Sequence, residues 1–560
     1  MKIQKMKIIN GKILNKPYLL ASLTALIFMF GFLFGSPLRA YAGDSVLEEV
    51  KTILQYNFVD EVKPEVLDAS SVEEAVNRLG DPNTQYLTAQ EYNNLISTLD
   101  RSVTGIGIEL EVVPQGILVT RVYAGYPADQ AGIKEGDIMT EADGQSLAGQ
   151  TSELIVSKIR GAEGTTVKVK LLRDGSPLEL SIQRTVINLP QVEGVMLDKA
   201  IGYIGLYSFG DSASEQFGEA VKNLKGEGAD CWIIDLRYNG GGYTKEAEEI
   251  LGYFIKNQAA YYTKFRNQDY EEYLPVRQEF TLNDPVIILT NQYTASASEI
   301  LTGALKDYGS ALVMGENTYG SGRVKGLFTL SNGDIFKTSL SRFYSPLKTA
   351  IDVVGIKPQI DLTGTDELAA AVLMLNQRGL AQSSPNTGTG ADRNGYLQVK
   401  AAGGDYVLSL AEMREEVFWQ AANKILDALP ASSLKIGSKN GWEAFPDSLL
   451  KDRQKVFYPG YLNNGKLDGV ELNKTFTITF PEDLDRASVA LDKVELIEVK
   501  TGERMPLELI FDGSSDQFKV LSTKLLSPQT EYWLVIHPGI KDTAGREHNG
   551  ILATVLTAEK

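Results

Sequence analysis

The run Asp284-Pro285-Val286-Ile287-Ile288-Leu289-Thr290-Asn291-Gln292-Tyr293-Thr294-Ala295-Ser296-Ala297-Ser298-Glu299-Ile300 decides how the chain is read. Val286 to Leu289 is a short apolar run bounded by turn residues, as in a buried strand. Ile300, Leu301, Ala304 and Leu305 then recur at helical spacing. A Ser between a strand end and a helix start has its hydroxyl and the next N–H groups facing one space. That suits a nucleophile beside an oxyanion site. Ser and Thr also favour helix N-caps, so small residues that merely cap a helix give the same pattern. The local sequence leaves both readings open. A further short strand, Ala311 to Met314, leads into Gly315-Glu316-Asn317-Thr318-Tyr319-Gly320-Ser321-Gly322-Arg323-Val324-Lys325.

Upstream, Ile201 to Leu206 reads as a strand, and Phe217, Ala220, Val221 and Leu224 mark a helix face. The strand-like run Cys231 to Ile234 ends in Asp235-Leu236-Arg237-Tyr238-Asn239-Gly240-Gly241-Gly242, before a helix from Thr244 to Phe254. Consecutive glycines at such a place free backbone N–H groups to face a ligand. A phosphate cradle is the competing use, but no Lys-Ser/Thr pair follows the glycines. Strands alternating with helices predict an α/β sheet.

Together these segments resemble the C-terminal processing peptidases, or tail-specific proteases, and imply their ClpP/crotonase-like α/β core over residues 186–376. The nucleophile of that family is the middle Ser of an S-A-S-A-S-E-like run, here Ser296, and an Asp eleven residues on matches Asp307. The resemblance implies an oxyanion site at the N–H groups of Gly241 and Ala297. The family's D-L-R-x-N-P-G-G has Gly240 in place of its Pro. Tyr344-Ser345-Pro346 and Gly355 to Ile360 resemble its closing segments.

One departure bears on chemistry. Gly315 to Gly322 follows the family's G-E-x-T-x-G-K-G except where its general-base Lys should stand, which is Ser321. The residue four further on, usually a Gln that supports the amine, is Lys325. A Ser nucleophile needs a base, and Ser321 cannot be one. Lys325 is expected to replace it: in a strand, positions 321 and 325 share a face, because the side-chain period is two. Arg323 stays protonated and cannot accept a proton. The leading expectation is a serine endopeptidase with Ser296 and a relocated Lys325. The alternative is a homologue without turnover, acting as a peptide-binding or regulatory protein of the cell envelope. A cell-envelope scaffold built on the C-terminal module is a third reading.

Residues 101–185 resemble a PDZ domain of the bacterial protease type, through Gly105-Ile106-Gly107-Ile108-Glu109-Leu110 and Ala128 to Ile138. Such a module pairs an extended peptide with an exposed strand and seats its terminal carboxylate on N–H groups of the glycine turn. Gly105, Ile106, Gly107 and Ile108 are therefore the expected peptide-binding residues, and protein or peptide substrates with free C-termini the expected partners. Residues 43–100 read as a helical region, and Asp81-Pro82 to Leu87-Thr88 again resembles this family. There such helices pack on the core or pair two subunits into a homodimer. Residues 377–395 read as a flexible linker. Residues 396–463 show one helix, Leu408 to Leu429, and are otherwise unassigned. Residues 464–560 alternate in short strands and resemble a bacterial Ig-like β-sandwich.

Composition narrows the rest. The 560 residues carry a formal charge of −17 with 43% hydrophobic content, enough for several packed domains. No basic run supports nucleic acid as a partner. The one cysteine, Cys231, permits no intrachain disulfide, and two histidines, His537 and His548, make a zinc site improbable. No cofactor is expected. Lys2, Lys5, Lys7, Lys12 and Lys16 precede an apolar run from Tyr18 to Gly35 and then Ala40-Tyr41-Ala42. This is a signal-peptide pattern over residues 1–42, with an uncleaved membrane anchor as the alternative. An exported, extracellular or cell-envelope protein is expected.

Overall fold

The computed structural model describes residues 46–378, 380, 393–402 and 404–559, and the short strand Met29–Phe30. The rest of the leader, including the expected cleavage site, and most of the expected linker lie outside the described residues.

The central sheet has six strands in the order Val192–Leu197, Ile201–Leu206, Cys231–Asp235, Val286–Thr290, Leu312–Gly315 and Ile360–Asp361. The first pair is antiparallel and the others are parallel. Both faces are covered, which is why these strands read as unbroken apolar runs. Alternation divides them: Cys231, Ile233, Ile287, Leu289, Leu312 and Met314 pack to one side, while Trp232, Ile234, Val286, Ile288 and Val313 pack to the other. The second side meets the helices Ala213–Gly226, Thr244–Leu251 and Ala297–Asp307. Burial pushes the Cys231 thiol up to about 12, which leaves it inert.

A second sheet lies against the functional end. Arg323–Thr329 pairs antiparallel with Ile335–Tyr344, whose first residues also pair with Gln85–Leu87 from the N-terminal region. Phe336 and Leu330 share a core with Val50, Leu54 and Val66 of the N-terminal helices. Those helices are thus fastened to the α/β core. Met29–Phe30 runs parallel between Gly242–Tyr243 and Lys325.

The PDZ domain is a sheet in the order Ile108–Val113, Gly116–Val122, Ile138–Ala142, Thr166–Arg173, Ser176–Gln183. Ile108–Val113 is therefore an edge strand. Arg121 Nη1 donates to Glu193 at 2.9 Å and ties this domain to the central sheet.

The expected single helix Leu408 to Leu429 is two, Leu410–Met413 and Glu416–Ala428, and it starts later because Leu408 and Ser409 belong to the strand Gly404–Ser409. Residues 396–444 also build a four-stranded sheet, whose Leu397 and Val399 join the apolar layer behind the central sheet. The Ig-like module is a sandwich of a four- and a three-stranded sheet, and it docks on this layer. Trp419 meets Phe457 and Trp533 at centroid distances of 4.7 and 5.4 Å and donates from Nε1 to the Val499 carbonyl at 2.7 Å.

Candidate active site

Three loops meet at the C-terminal ends of adjacent parallel strands, where open α/β sheets place their ligand sites. The strand Cys231–Asp235 gives the glycine loop, Val286–Thr290 gives the Ser296 turn, and Leu312–Gly315 gives the Ser321 loop. Polar side chains stitch them together. Asn291 Oδ1 accepts the N–H groups of Tyr238 and Tyr293 at 3.0 and 3.1 Å. Thr294 Oγ1 donates to the Leu236 carbonyl at 2.8 Å. The Asn239 carbonyl accepts from Ala295 N and Ser298 Oγ at 3.0 and 3.1 Å.

Ser296 is fully buried and sits at φ +62, ψ −118, just before the helix Ala297–Asp307. A non-glycine residue in this region stores strain, and such strain clusters at functional sites. Ala297 supplies the first N–H of the helix, beside Ser296. Gly241 presses on it: at φ +99, an added Cβ would lie 2.7 Å from Ser296 Cβ and 2.9 Å from Ala297 N. Only glycine fits there. The Gly241 N–H itself donates to Asn239 Oδ1 at 2.9 Å.

Glu299, wholly buried, is the hub that sequence reading missed. Its Oε2 accepts the backbone N–H groups of Ser296 and Ser321, each at 2.8 Å. Its Oε1 accepts from Thr318 Oγ1 at 2.6 Å and Gly320 N at 2.8 Å. Burial outweighs these donors and raises the carboxyl above its usual range. The spacing of Ser296 and Glu299 is that of a capping pair, which was the available signal. Asp307, by contrast, lies at the far end of the eleven-residue helix and accepts the Leu347 N–H at 2.9 Å. That is about 16 Å from Ser296 along the helix axis.

Lys325 is 1% exposed, and its Nζ donates to Ser321 Oγ at 2.8 Å. The amine thus meets the small side chain that stands at the family's lysine position. The expected shared strand face is corrected: the strand begins at Arg323, and the ladder bulges between Val324 and Lys325. Bulges re-aim side chains, and the contact is made across this one. Arg323 is held by Asp352 at 2.9 Å and Asp81 at 3.3 Å. Burial pushes Lys325 down to about 8, against the upward pull of Glu299, Asp81 and Asp352. A second buried lysine, Lys337, donates to Gln85 Oε1 at 2.7 Å and is pushed down to about 7 by burial and by Lys325. Sequence reading passed over it.

In the PDZ domain, Gly105 ends the strand Ser102–Gly105, and Ile108 begins the edge strand. Ile106 packs into the domain core with Ile155 and Ile159. Gly107, at φ +87, would place a Cβ 2.6 Å from Tyr126 Cβ, so its glycine answers to Tyr126. His537 pairs with Glu495 and Tyr461, and His548 packs on Phe480, away from Ser296. Among the described residues no group of three or more His, Cys, Asp or Glu could hold a metal ion.

The model of peptidase family S41 matches residues 200–362, that of the PDZ domain residues 104–183, and that of the bacterial Ig-like domain residues 464–557. The carboxy-terminal processing protease CtpB of Bacillus subtilis (strain 168) is 31% identical over 337 residues, spanning 59% of this chain and 70% of the relative. The carboxyl-terminal-processing protease of Synechocystis sp. (strain ATCC 27184 / PCC 6803 / Kazusa) is 31% identical over 297 residues, 52% of this chain and 69% of the relative. Among solved structures, the photosystem II D1 C-terminal processing protease is 22% identical, covering 57% of this chain and 92% of that one, with a TM-score of 0.36. The matched core, the PDZ module and the two relatives agree: the chain belongs to the carboxy-terminal processing proteases of peptidase family S41.

Proposed function

We propose that the protein is an exported serine endopeptidase that cleaves polypeptides near their C-termini, with Ser296 as nucleophile and Lys325 as base. The observation that carries this is the 2.8 Å contact of the Lys325 amine with Ser321 Oγ, within a buried site that holds the amine near 8. A neutral amine takes the Ser296 hydroxyl proton as Oγ bonds to the scissile carbonyl carbon. The oxygen of the tetrahedral intermediate faces the Ala297 N–H, and the Gly241 N–H joins it once released from Asn239. Lys325 then returns the proton to the leaving amine. Water then gives a proton to Lys325 as it attacks the acyl carbon, and the Lys325 ammonium returns that proton to Ser296 Oγ as the ester C–O bond breaks and the carboxylic acid leaves.

The substrate runs as an extended strand. The gap between Gly242–Tyr243 and Lys325 accommodates a single strand, since Met29–Phe30 pairs with both sides. The PDZ edge strand Ile108–Val113 holds the tail. Export, or retention by an N-terminal anchor, follows from the leader pattern.

One observation favours the second reading, a peptide-binding homologue without turnover: the Gly241 N–H is engaged by Asn239 Oδ1 at 2.9 Å. Incubating the chain and its Ser296→Ala form with casein and with tailed peptides decides between them. Cleavage by the first alone supports the peptidase. Binding without cleavage by either supports the second reading.

A further inference from the structure

Behind the strand of Lys325 lies a turn of the N-terminal region, Gly80 to Thr84. Asp81 in that turn is buried. Its Oδ2 accepts from Thr84 Oγ1 at 2.7 Å and from Ser339 Oγ at 2.9 Å. Its Oδ1 accepts from Arg323 Nη1 and from the Asn83 N–H and Nδ2, each at 3.3 Å. Two of these partners bracket the base. Ser339 stands directly opposite Lys325 in the ladder, and Arg323 precedes it by two residues on the same strand. The bulge between Val324 and Lys325 interrupts regular pairing at that point, so the local geometry leans on side-chain tethers from either strand. Thr84 Oγ1 adds another, 2.9 Å from Thr338 Oγ1.

We infer that Asp81 is a positioning residue for Lys325, clamping both the strand that carries the amine and its cross-strand partner while setting a negative charge behind them. The N-terminal helical region thereby becomes part of the peptidase machinery rather than a cap. This rests on Lys325 being the base.

The charges acting on Lys325 come from every side. Glu299 belongs to the nucleophile helix, Asp81 to the N-terminal turn, Asp352 to the loop before Gly355, Arg323 to its own strand and Lys337 to the neighbouring one. The three carboxylates favour the ammonium, whereas burial and Arg323 oppose it. Removing the Asp81 charge therefore makes the amine easier to deprotonate. The acid limb of the rate profile moves to lower pH. Loss of the clamp lowers kcat, and KM stays, because Asp81 is engaged by Thr84, Ser339, Arg323 and Asn83 and acts through the strands rather than on a bound peptide.

The test uses the full chain and two readouts. One is kcat and KM against pH on a tailed peptide. The other is the titration of the Lys325 amine by NMR of Nζ-labelled lysine in a Ser296→Ala background, which needs no turnover. Asp81→Asn should move both midpoints down by about half a pH unit and lower kcat about threefold or more at unchanged KM. Asp81→Glu should restore the midpoints. Ser339→Ala, which keeps the charge, should lower kcat without moving the limb. An unmoved or raised Lys325 titration in Asp81→Asn overturns the inference. If wild type cleaves nothing, the peptidase reading fails, while the NMR titration still decides the role of Asp81. Should Asp81→Asn not fold, an unchanged kcat in Ser339→Ala overturns the clamp.

Discussion

Ser296 and Ser321 donate their backbone N–H groups to the same oxygen, Glu299 Oε2, each at 2.8 Å. The Ser296 turn and the Ser321 loop are thus fixed to one buried point. Glu299→Gln keeps the size but swaps an oxygen that accepts for an amide that donates. At least one buried N–H or hydroxyl then faces another donor. The expected loss of stability is about 2–3 kcal/mol, the cost of an unsatisfied group near a former charge. Activity should fall about 100-fold, or about 2.7 kcal/mol of barrier. Thermal unfolding and the peptide assay measure the two. A variant as stable and as active as wild type would show that the shared acceptor does not organise the site.

The pH dependence follows from Lys325. Its amine must be neutral to accept a proton, so kcat/KM should rise with pH through a midpoint near 8. The sign for stability is set by the same shift. The folded value lies below the ordinary 10.5, so between the two the unfolded chain binds more protons and stability rises with pH. Below pH 8 the buried ammonium costs on the order of 3 kcal/mol. Lys325→Met, inactive, should therefore melt higher than wild type at pH 7, with the difference closing above about pH 10. A Lys325→Met protein less stable than wild type at pH 7 would contradict this.

Much of the frame was legible in the chain. Val286 to Leu289 and Cys231 to Ile234 read as buried strands because both of their faces are covered. The Ser296 turn and glycine loop were legible because strand ends, small residues and a helix start follow in order. Glu299 offers only its capping-pair spacing to Ser296 as a local signal, since the four donors around its buried carboxylate come together only in the fold. Asp81 sits 244 positions before Lys325 in sequence, and no local pattern announces a clamp across that distance. The face shared by 321 and 325 was argued from an ideal strand, and the bulge replaced that geometry. Residues 396–463 stayed unread because much of their apolar surface is buried against other parts of the chain.

The strain at Ser296 has a measurable consequence. At φ +62 and ψ −118, alanine suffers as serine does, while glycine has no Cβ to object. Both Ser296→Ala and Ser296→Gly should be inactive. Ser296→Gly should be more stable than Ser296→Ala by about 1 kcal/mol, net of the greater freedom of an unfolded glycine. Equal melting temperatures would mean that the turn is not strained.

Tail recognition is tested at the PDZ domain. The free edge of Ile108–Val113 offers backbone pairing, and the N–H groups at the turn before it suit a carboxylate. A peptide with a free C-terminus should bind more tightly than its amide, by about tenfold for a loss of about 1.4 kcal/mol. Calorimetry with the Ser296→Ala chain measures both without cleavage. Equal affinities would place recognition in side chains alone.

The last prediction uses the exchange of residues at 321 and 325. Lys325 is buried with its amine on Ser321 Oγ, so the two side chains share one space. Ser321→Lys alone would put a second amine into that space, overpacking it and setting two ammonium groups together. Lys325→Gln alone removes the proposed base and leaves Ser321, which cannot replace it. Each single variant should lose activity about 100-fold or more. The double variant, Ser321→Lys with Lys325→Gln, frees the room that the new lysine needs and supplies the amide that supports it in the family. Its activity should return to within about tenfold of wild type, a coupling of about 4 kcal/mol or more between the two positions when set against the singles. Kinetics of the four proteins on one tailed peptide close the cycle. If the double variant is no better than the worse single, the two side chains do not occupy one catalytic space.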